Sequence, residues 1–357
     1  MKSNRITYLD SIRGLSALSV VIYHVIQAHW GWHLWAKITC IFINGSDAVS
    51  MFFVLSGLVL ALQFKYLKTQ KLTTSELRKY VLKRILRIYP AFIVILLLNY
   101  FYHFRVTPTT QLLIDTLQNK NSLIQELLLV RDNHIYFLPD WTLGVEIALS
   151  LIIPFLVLLI YYDVKLFVAF IVIATIINKH YYSIFIFHFG IGVLIANFFH
   201  QIEQFDFKNH KTYKFRHFIY LLVVLLFGYR HLLQIVNFSS WYGKTINDII
   251  YLDEFYITGI GAALIIMIVI NNQTLQRILN HKALIFLGKI SYSIYLVHWI
   301  IIGYLMDNWQ AMLNTLQYES KMFGFYMFIT ITITISCATI LYYLVEKPFI
   351  KYSKRLQ

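Results

Sequence analysis

Residues 8–25 read YLDSIRGLSALSVVIYHV, an apolar run that holds an aspartate, an arginine and a histidine. A bilayer-spanning helix needs about 20 mostly apolar residues, and residues 11–30 supply one. Arg13 and His24 are eleven residues apart, close to three helical turns, which puts them within about 20° of one face. Asp10, three residues before Arg13, shares that face. The stripe is Asp10, Arg13, Ala17, Val21, His24. The rise from Arg13 to His24 is about 16 Å, roughly half the hydrocarbon thickness. Two readings stand at this point. Ionisable groups at membrane depth often face a functional cavity. Alternatively, Arg13 snorkels to the interface and His24 hydrogen-bonds a neighbouring helix.

The composition around this segment gives the fold class. Of 357 residues, 59% are hydrophobic and 13% charged, and the mean hydropathy is +0.63. A soluble domain carries about 25% charged residues, and a soluble core could not bury this much apolar surface. The expected fold is all-α: a polytopic membrane helical bundle with about ten transmembrane helices, forming a single membrane-embedded domain over 1–357. The candidate spans are roughly 11–30, 47–64, 89–105, 141–162, 164–179, 182–200, 217–236, 249–271, 289–306 and 322–345. A net charge of +14 could suggest nucleic acid, but in a membrane protein it reads first as the positive-inside rule. With the N-terminus inside, the inner segments hold 23 of the 31 Lys and Arg. Both termini are therefore expected in the cytoplasm, with membrane lipid rather than nucleic acid as the surrounding partner. The long polar loop near 106–140 then faces outward and suits an acceptor pocket. No cleavable signal peptide and no repeat is evident. Cys40 and Cys337 have no metal or redox spacing, and no metal site is expected.

Residues 66–88 read YLKTQKLTTSELRKYVLKRILRI. Thr74 or Ser75 is the expected cap of a helix continuing into the third span. Leu77, Val81, Leu82, Ile85 and Leu86 stripe one side beside Arg78, Lys79, Lys83, Arg84 and Arg87, the pattern of a basic helix at the inner surface. Arg84 and Arg87, three apart, can face one ligand together with Lys83. Guanidinium groups bind phosphates in a two-pronged way, and basic juxtamembrane helices also bind anionic lipid. Glu146, inside the fourth span, either serves chemistry or acceptor binding, or joins a buried hydrogen-bond network with Trp141 or a tyrosine. His29, His33, His103 and His188 carry no motif and are expected at the membrane interface.

Six segments in order resemble the acyltransferase family 3 membrane enzymes. LDSIRGLSALSVVIYH resembles the family's first-helix signature, which pairs Arg and His across ten residues. AVSMFFVLSGLVLA, with Ser56 and Gly57, is similar to its second helix. KRILRIYP, with Arg84, Arg87 and Pro90, is similar to its inner basic motif. WTLGVEIALSLIIP resembles its Trp–Ser–Leu–x–x–Glu motif, with Thr142 where Ser is usual and Glu146 in place. LGKISYSIYLVHW, with Tyr292, Ser293, Tyr295 and His298, resembles its ninth-helix signature. VEKPF, with Glu346 and Pro348, resembles its closing Glu–x–Pro.

The resemblance implies an O-acyltransferase of the bacterial cytoplasmic (inner) membrane. Its expected reaction is O-acetylation of a cell-surface carbohydrate acceptor, such as lipopolysaccharide, with cytoplasmic acetyl-CoA or another acyl-CoA as donor. It aligns His24 with the family's essential His, acting as general base or as covalent acyl carrier. Asp10 and Arg13 would then order the inner end of the same channel, and Lys83, Arg84 and Arg87 would hold the donor's phosphates. Some members carry a C-terminal esterase-like domain, which this chain is expected to lack. Ser56 and Gly57 read as close-packing residues, and Glu346 and Pro348 as fixing the tail. Intramembrane Arg, His and Glu also fit a secondary transporter or flippase of a glycan or lipid-linked intermediate. A third reading is a non-catalytic sensor or scaffold.

Overall fold

A computed structural model of the protein describes residues 6–30, 34–43, 45–106, 126–129, 138–177, 181–236, 244–316 and 319–355. Most of the 106–140 loop, and the side chains of His29, His33 and His103, lie outside the described residues. Among the described residues there is no strand. The helices are α1 (Thr7–Trp30), α2 (Leu34–Phe42), α3 (Gly45–Gln63), α4 (Thr74–Val106), α5 (Trp141–Tyr162), α6 (Val164–Ile177), α7 (Tyr181–Asn197), α8 (Phe199–Gln204), α9 (Arg216–Phe227), α10 (Tyr229–Val236), α11 (Lys244–Asn271), α12 (Gln273–Leu279), α13 (Lys282–Leu316), α14 (Glu319–Leu341) and α15 (Lys347–Arg355).

Five stretches are long and apolar enough to cross a membrane: Thr7–Ala28, Ile38–Gln63, Trp141–Tyr162, Lys282–Met306 and Phe323–Arg355. The count is six if α11 and α12 form one broken span, since Phe255–Asn271 and Gln273–Leu279 meet at 98°. The ten expected crossings are thus five or six among the described residues by length and composition. The physical reason lies in how the helices stop. Asp163 ends α5, and its Oδ1 accepts the Leu166 N–H at 2.8 Å, so α6 starts at once and is only 14 residues long. The expected seventh span is interrupted at Gly228 and becomes α9 and α10. The third is the apolar half of α4, which runs 33 residues through Pro90.

Local chemistry accounts for the ends. At the start of α4, Thr73 Oγ1 accepts the Glu76 N–H at 3.3 Å, while Glu76 Oε2 accepts the Thr73 N–H at 3.0 Å. This reciprocal box makes Thr73 the cap, one residue before the expected Thr74 or Ser75. At the α11–α12 corner, Asn272 Oδ1 accepts the N–H groups of Thr274 and Leu275 at 2.9 and 3.1 Å. Gln276 Nε2 donates to the carbonyls of Val269 and Ile270 at 3.0 and 2.7 Å. Side chains thus satisfy four of the corner's open backbone groups, which eases a helix break at membrane depth.

The chain divides into two compact units: Met1–Lys71 with Leu149–Lys289, and Leu72–Ala148 with Ile290–Gln357. The first is centred on α3, whose span is 82% buried and which packs on α1, α7 and α11. Small residues permit these approaches. A Cβ on Gly192 of α7 would meet the Val54 carbonyl oxygen and, at 2.6 Å, the Leu58 nitrogen. A Cβ on Gly57 would meet the Phe189 backbone, in keeping with its expected close-packing role. In the second unit α4 packs on α15 and on the π-turn Tyr342–Glu346. The Phe323–Arg355 span there is 22% buried and turns Phe325, Phe328, Ile340 and Leu344 outward, the surface a lipid-facing helix presents.

Candidate functional site

In the first unit, α1 holds Asp10, Arg13, Ala17, Val21 and His24 in one continuous helix. Ala17 and Val21 are buried, so the stripe faces protein rather than lipid, and the half-buried Arg13 and His24 flank an enclosed strip. Gly14 lets α13 approach: its Cβ would meet Gly288 N at 2.5 Å, and a Cβ on Gly288 would meet the Asp10 carbonyl. The Asp10–Arg13 end of the stripe is thereby fixed by backbone-to-backbone contact. At the other end, the His24 ring lies edge-on to Tyr23, centroids 5.3 Å apart, and hydrogen-bonds Gln27.

Tyr23 leads to a pair that sequence reasoning missed. Its ring is 5.7 Å from that of His231 on α10, and His231 Nε2 lies 4.0 Å from Asp47 Oδ2 in the first turn of α3. His231 and Asp47 are 0% and 1% exposed. The signal was present: an acid opening one apolar run and a histidine inside another, both costly at membrane depth. Their 184-residue separation hid the pairing. His188, expected at the interface, is also fully buried, with its ring 5.4 Å from Phe185 and beside Gly259.

In the second unit, Arg84 of α4 and Glu146 of α5 form an ion pair at 2.8 Å, with side-chain exposures of 10% and 26%. Two residues assigned separate roles from sequence thus hold each other. Arg87, one turn on, and Lys83 are half-buried. α13 is tied in by its polar residues. The Tyr292 hydroxyl donates to the Ile88 carbonyl at 2.7 Å, and Ser293 donates to Glu346 at 2.9 Å. The hydroxyls of Tyr295 and Thr142 lie 2.8 Å apart and converge on the Pro139 carbonyl at 3.1 and 3.0 Å. His298 Nδ1 lies 2.5 Å from the Tyr295 carbonyl. These contacts fasten α13 to α4, to the start of α5 and, through Ser293 and Glu346, to the tail turn.

Just before α5 sits a second pair that the sequence did not single out. Asp140 and Glu126 are both fully buried and hydrogen-bonded to each other. Burial, then the neighbouring Glu126 carboxylate, push the Asp140 carboxyl up to about 8. The pair therefore holds a proton at neutral pH. Among the described residues no group of three His, Cys, Asp or Glu has the geometry of a metal site.

Chemically, the first unit offers an imidazole held edge-on by a buried tyrosine, on a helix face shared with an acid and a guanidinium. The second offers a guanidinium–carboxylate pair beside two further cations. Comparison with known proteins gives the context. The sequence profile of acyltransferase family 3, described as an acyltransferase domain, matches residues 6–343. A Staphylococcus aureus (strain COL) protein named as a candidate O-acetyltransferase is 24% identical over 98% of this chain and 58% of its own length. Two similarly named proteins, from strains MSSA476 and MRSA252, are each 24% identical over 96% of this chain and 57% of their own length. The chain thus spans somewhat more than half the length of the curated relatives it matches. No solved structure matches it.

Proposed function

The chain belongs to acyltransferase family 3, and from that premise we propose that it is a membrane O-acyltransferase that moves an acetyl group from cytoplasmic acetyl-CoA to a sugar hydroxyl of a cell-surface polysaccharide, such as a lipopolysaccharide O-antigen. The observation that carries this reading is the α1 stripe: Asp10, Arg13 and His24 on one protein-facing side of a membrane helix within the family match.

In this reading the His24 imidazole accepts the proton of the acceptor hydroxyl. The resulting oxygen nucleophile attacks the thioester carbonyl. A carbon–oxygen bond forms, the carbon–sulfur bond breaks, and the leaving thiolate takes the proton back from His24. Covalent transfer through an acyl-imidazole is the second route open to the same residue. Lys83 and Arg87 contact the donor's phosphates, while Arg84, held by Glu146, orients that carboxylate toward the acceptor and adds its charge to the donor site. Arg13 and Asp10 line the path of the pantetheine arm toward His24. The protein sits in the bacterial cytoplasmic membrane and crosses it ten times, both termini inside: the five long spans and the broken α11–α12 pair are joined by the apolar half of α4, the shorter helices α6 and α7, and the α9–α10 pair. The test is release of free coenzyme A thiol by the protein in proteoliposomes supplied with acetyl-CoA and acceptor glycan. Release that depends on the glycan is the expected result, and a background-level rate with both present would refute the reading.

The runner-up, a transporter or flippase, has one structural feature in its favour. The 98° break between α11 and α12 is of the kind that transporters use near their sites. Glycan translocation in proteoliposomes without any acyl donor would favour it.

A further inference from the structure

We propose that Asp47 and His231 are positioning residues for His24, acting through the ring of Tyr23. The inference rests on the reading of His24 as the reacting imidazole. Four observations lead to it. Tyr23 is buried between the two histidine rings, at 5.3 Å from His24 and 5.7 Å from His231. The start of α3 presses on Tyr23, since a Cβ on Gly45 would come within 2.6 Å of its Cγ and 2.7 Å of its Cδ1. Two residues further along α3, Asp47 faces His231 at 4.0 Å. Finally, both members of that pair are removed from solvent.

Burying a carboxylate and an imidazole together is costly unless they compensate each other. The first turn of α3 helps, because its unpaired N–H groups and dipole favour a negative charge at Asp47. The pair therefore clamps α10 to the start of α3, and Tyr23 fills the space between them. His24 follows Tyr23 directly on α1, so its ring orientation depends on how tightly Tyr23 is held. An imidazole that takes a proton in a transition state must be held within a fraction of an ångström of its productive place. A buried pair behind a rigid aromatic ring supplies that constraint, at a point where α1, α3 and α10 meet.

The test has two arms. In the first, diethylpyrocarbonate modifies histidines of the purified full chain in nanodiscs, and peptide mass spectrometry reads each site. Asp47→Asn and His231→Gln should each raise the His24 modification rate at least threefold, because a loosened Tyr23 uncovers its neighbour. Asp47→Glu should return it toward the parent rate. The exposed His281 serves as the reagent control, and the buried His188 reports folding by staying unmodified. In the second arm, the same variants should lower kcat for acyl transfer at least tenfold with the donor KM unchanged, again with recovery in Asp47→Glu. His24 rates equal to the parent in both loss variants, with His188 still protected, would overturn the proposal. So would a unit-wide rise that includes His188 in both. If the parent transfers no acyl group, the proposed function falls, and the modification arm still decides whether Asp47 and His231 hold His24.

Discussion

Neutralising Glu146 should destabilise the second unit more than truncating its partner Arg84. The two are 2.8 Å apart, and the arginine side chain is 10% exposed against 26% for the glutamate. Coulomb's law at an effective dielectric of about 20 gives a gross attraction of about 6 kcal/mol at that distance, most of it offset by desolvation. What a single substitution leaves behind decides the net effect. Glu146→Gln strands the more buried charge, near the limit at which breaking a buried pair costs about 3–5 kcal/mol, so about 3 kcal/mol is expected. Arg84→Met strands a carboxylate that keeps a quarter of its solvent contact, and about 2 kcal/mol is expected after discounting for that exposure. The double variant Arg84→Met/Glu146→Gln removes both charges and should lose about 2 kcal/mol, well short of the roughly 5 kcal/mol that additivity would give. Reversible unfolding in mixed micelles, monitored by circular dichroism for the parent, both singles and the double, measures all four corners. A double variant whose loss equals the sum of the singles would refute the coupling, and a larger loss for Arg84→Met would refute the argument from exposure.

Asp140 gives a pH prediction with a definite sign. Its folded-state value is pushed up to about 8 from an ordinary value of about 4, so the stability it contributes is full below about 4 and is lost as pH rises through about 8. The unfolding midpoint of the parent should therefore fall between pH 5 and pH 9 relative to that of Asp140→Asn, and parallel curves would contradict the Asp140–Glu126 pairing. Gly192→Leu should lower the unfolding midpoint by the equivalent of about 1–3 kcal/mol, the usual cost of overpacking, because its Cβ would meet α3 backbone. Gly303→Ala, whose Cβ has nothing within 4 Å, should instead be neutral or stabilising by up to about 1 kcal/mol, and equal losses at the two glycines would sink the packing argument.

The α1 stripe was legible because its members lie on one helix, where spacing alone fixes a shared face. The all-helical character followed from composition for a similar reason: a bilayer leaves the backbone few alternatives. Positions set by single capping side chains were less legible. Thr73 rather than Thr74 starts α4 because Glu76 is at the right distance to close the box, and several neighbouring hydroxyls compete for that role. Gly228 breaks the apolar run 217–236 that hydropathy alone joins. Pairs drawn from distant parts of the chain carried no local signal. Arg84 and Glu146 are 62 residues apart, so each was assigned a role without its partner, and Asp47 and His231 were not singled out at all. The motif residues of α13 were visible, but the groups they meet were not. Tyr292, Ser293 and Tyr295 each use the hydroxyl to join helices.

The most direct test of the account is the acetyl content of the surface glycan, measured by mass spectrometry in cells that express the parent chain, His24→Ala, or neither. The parent should add the mass of one acetyl group per modified sugar. His24→Ala, present in the membrane at the parent level, should give the unmodified mass seen without the gene. Acetylation by His24→Ala at the parent level would contradict the assignment of His24 as the reacting imidazole, and with it the proposed chemistry of the α1 stripe.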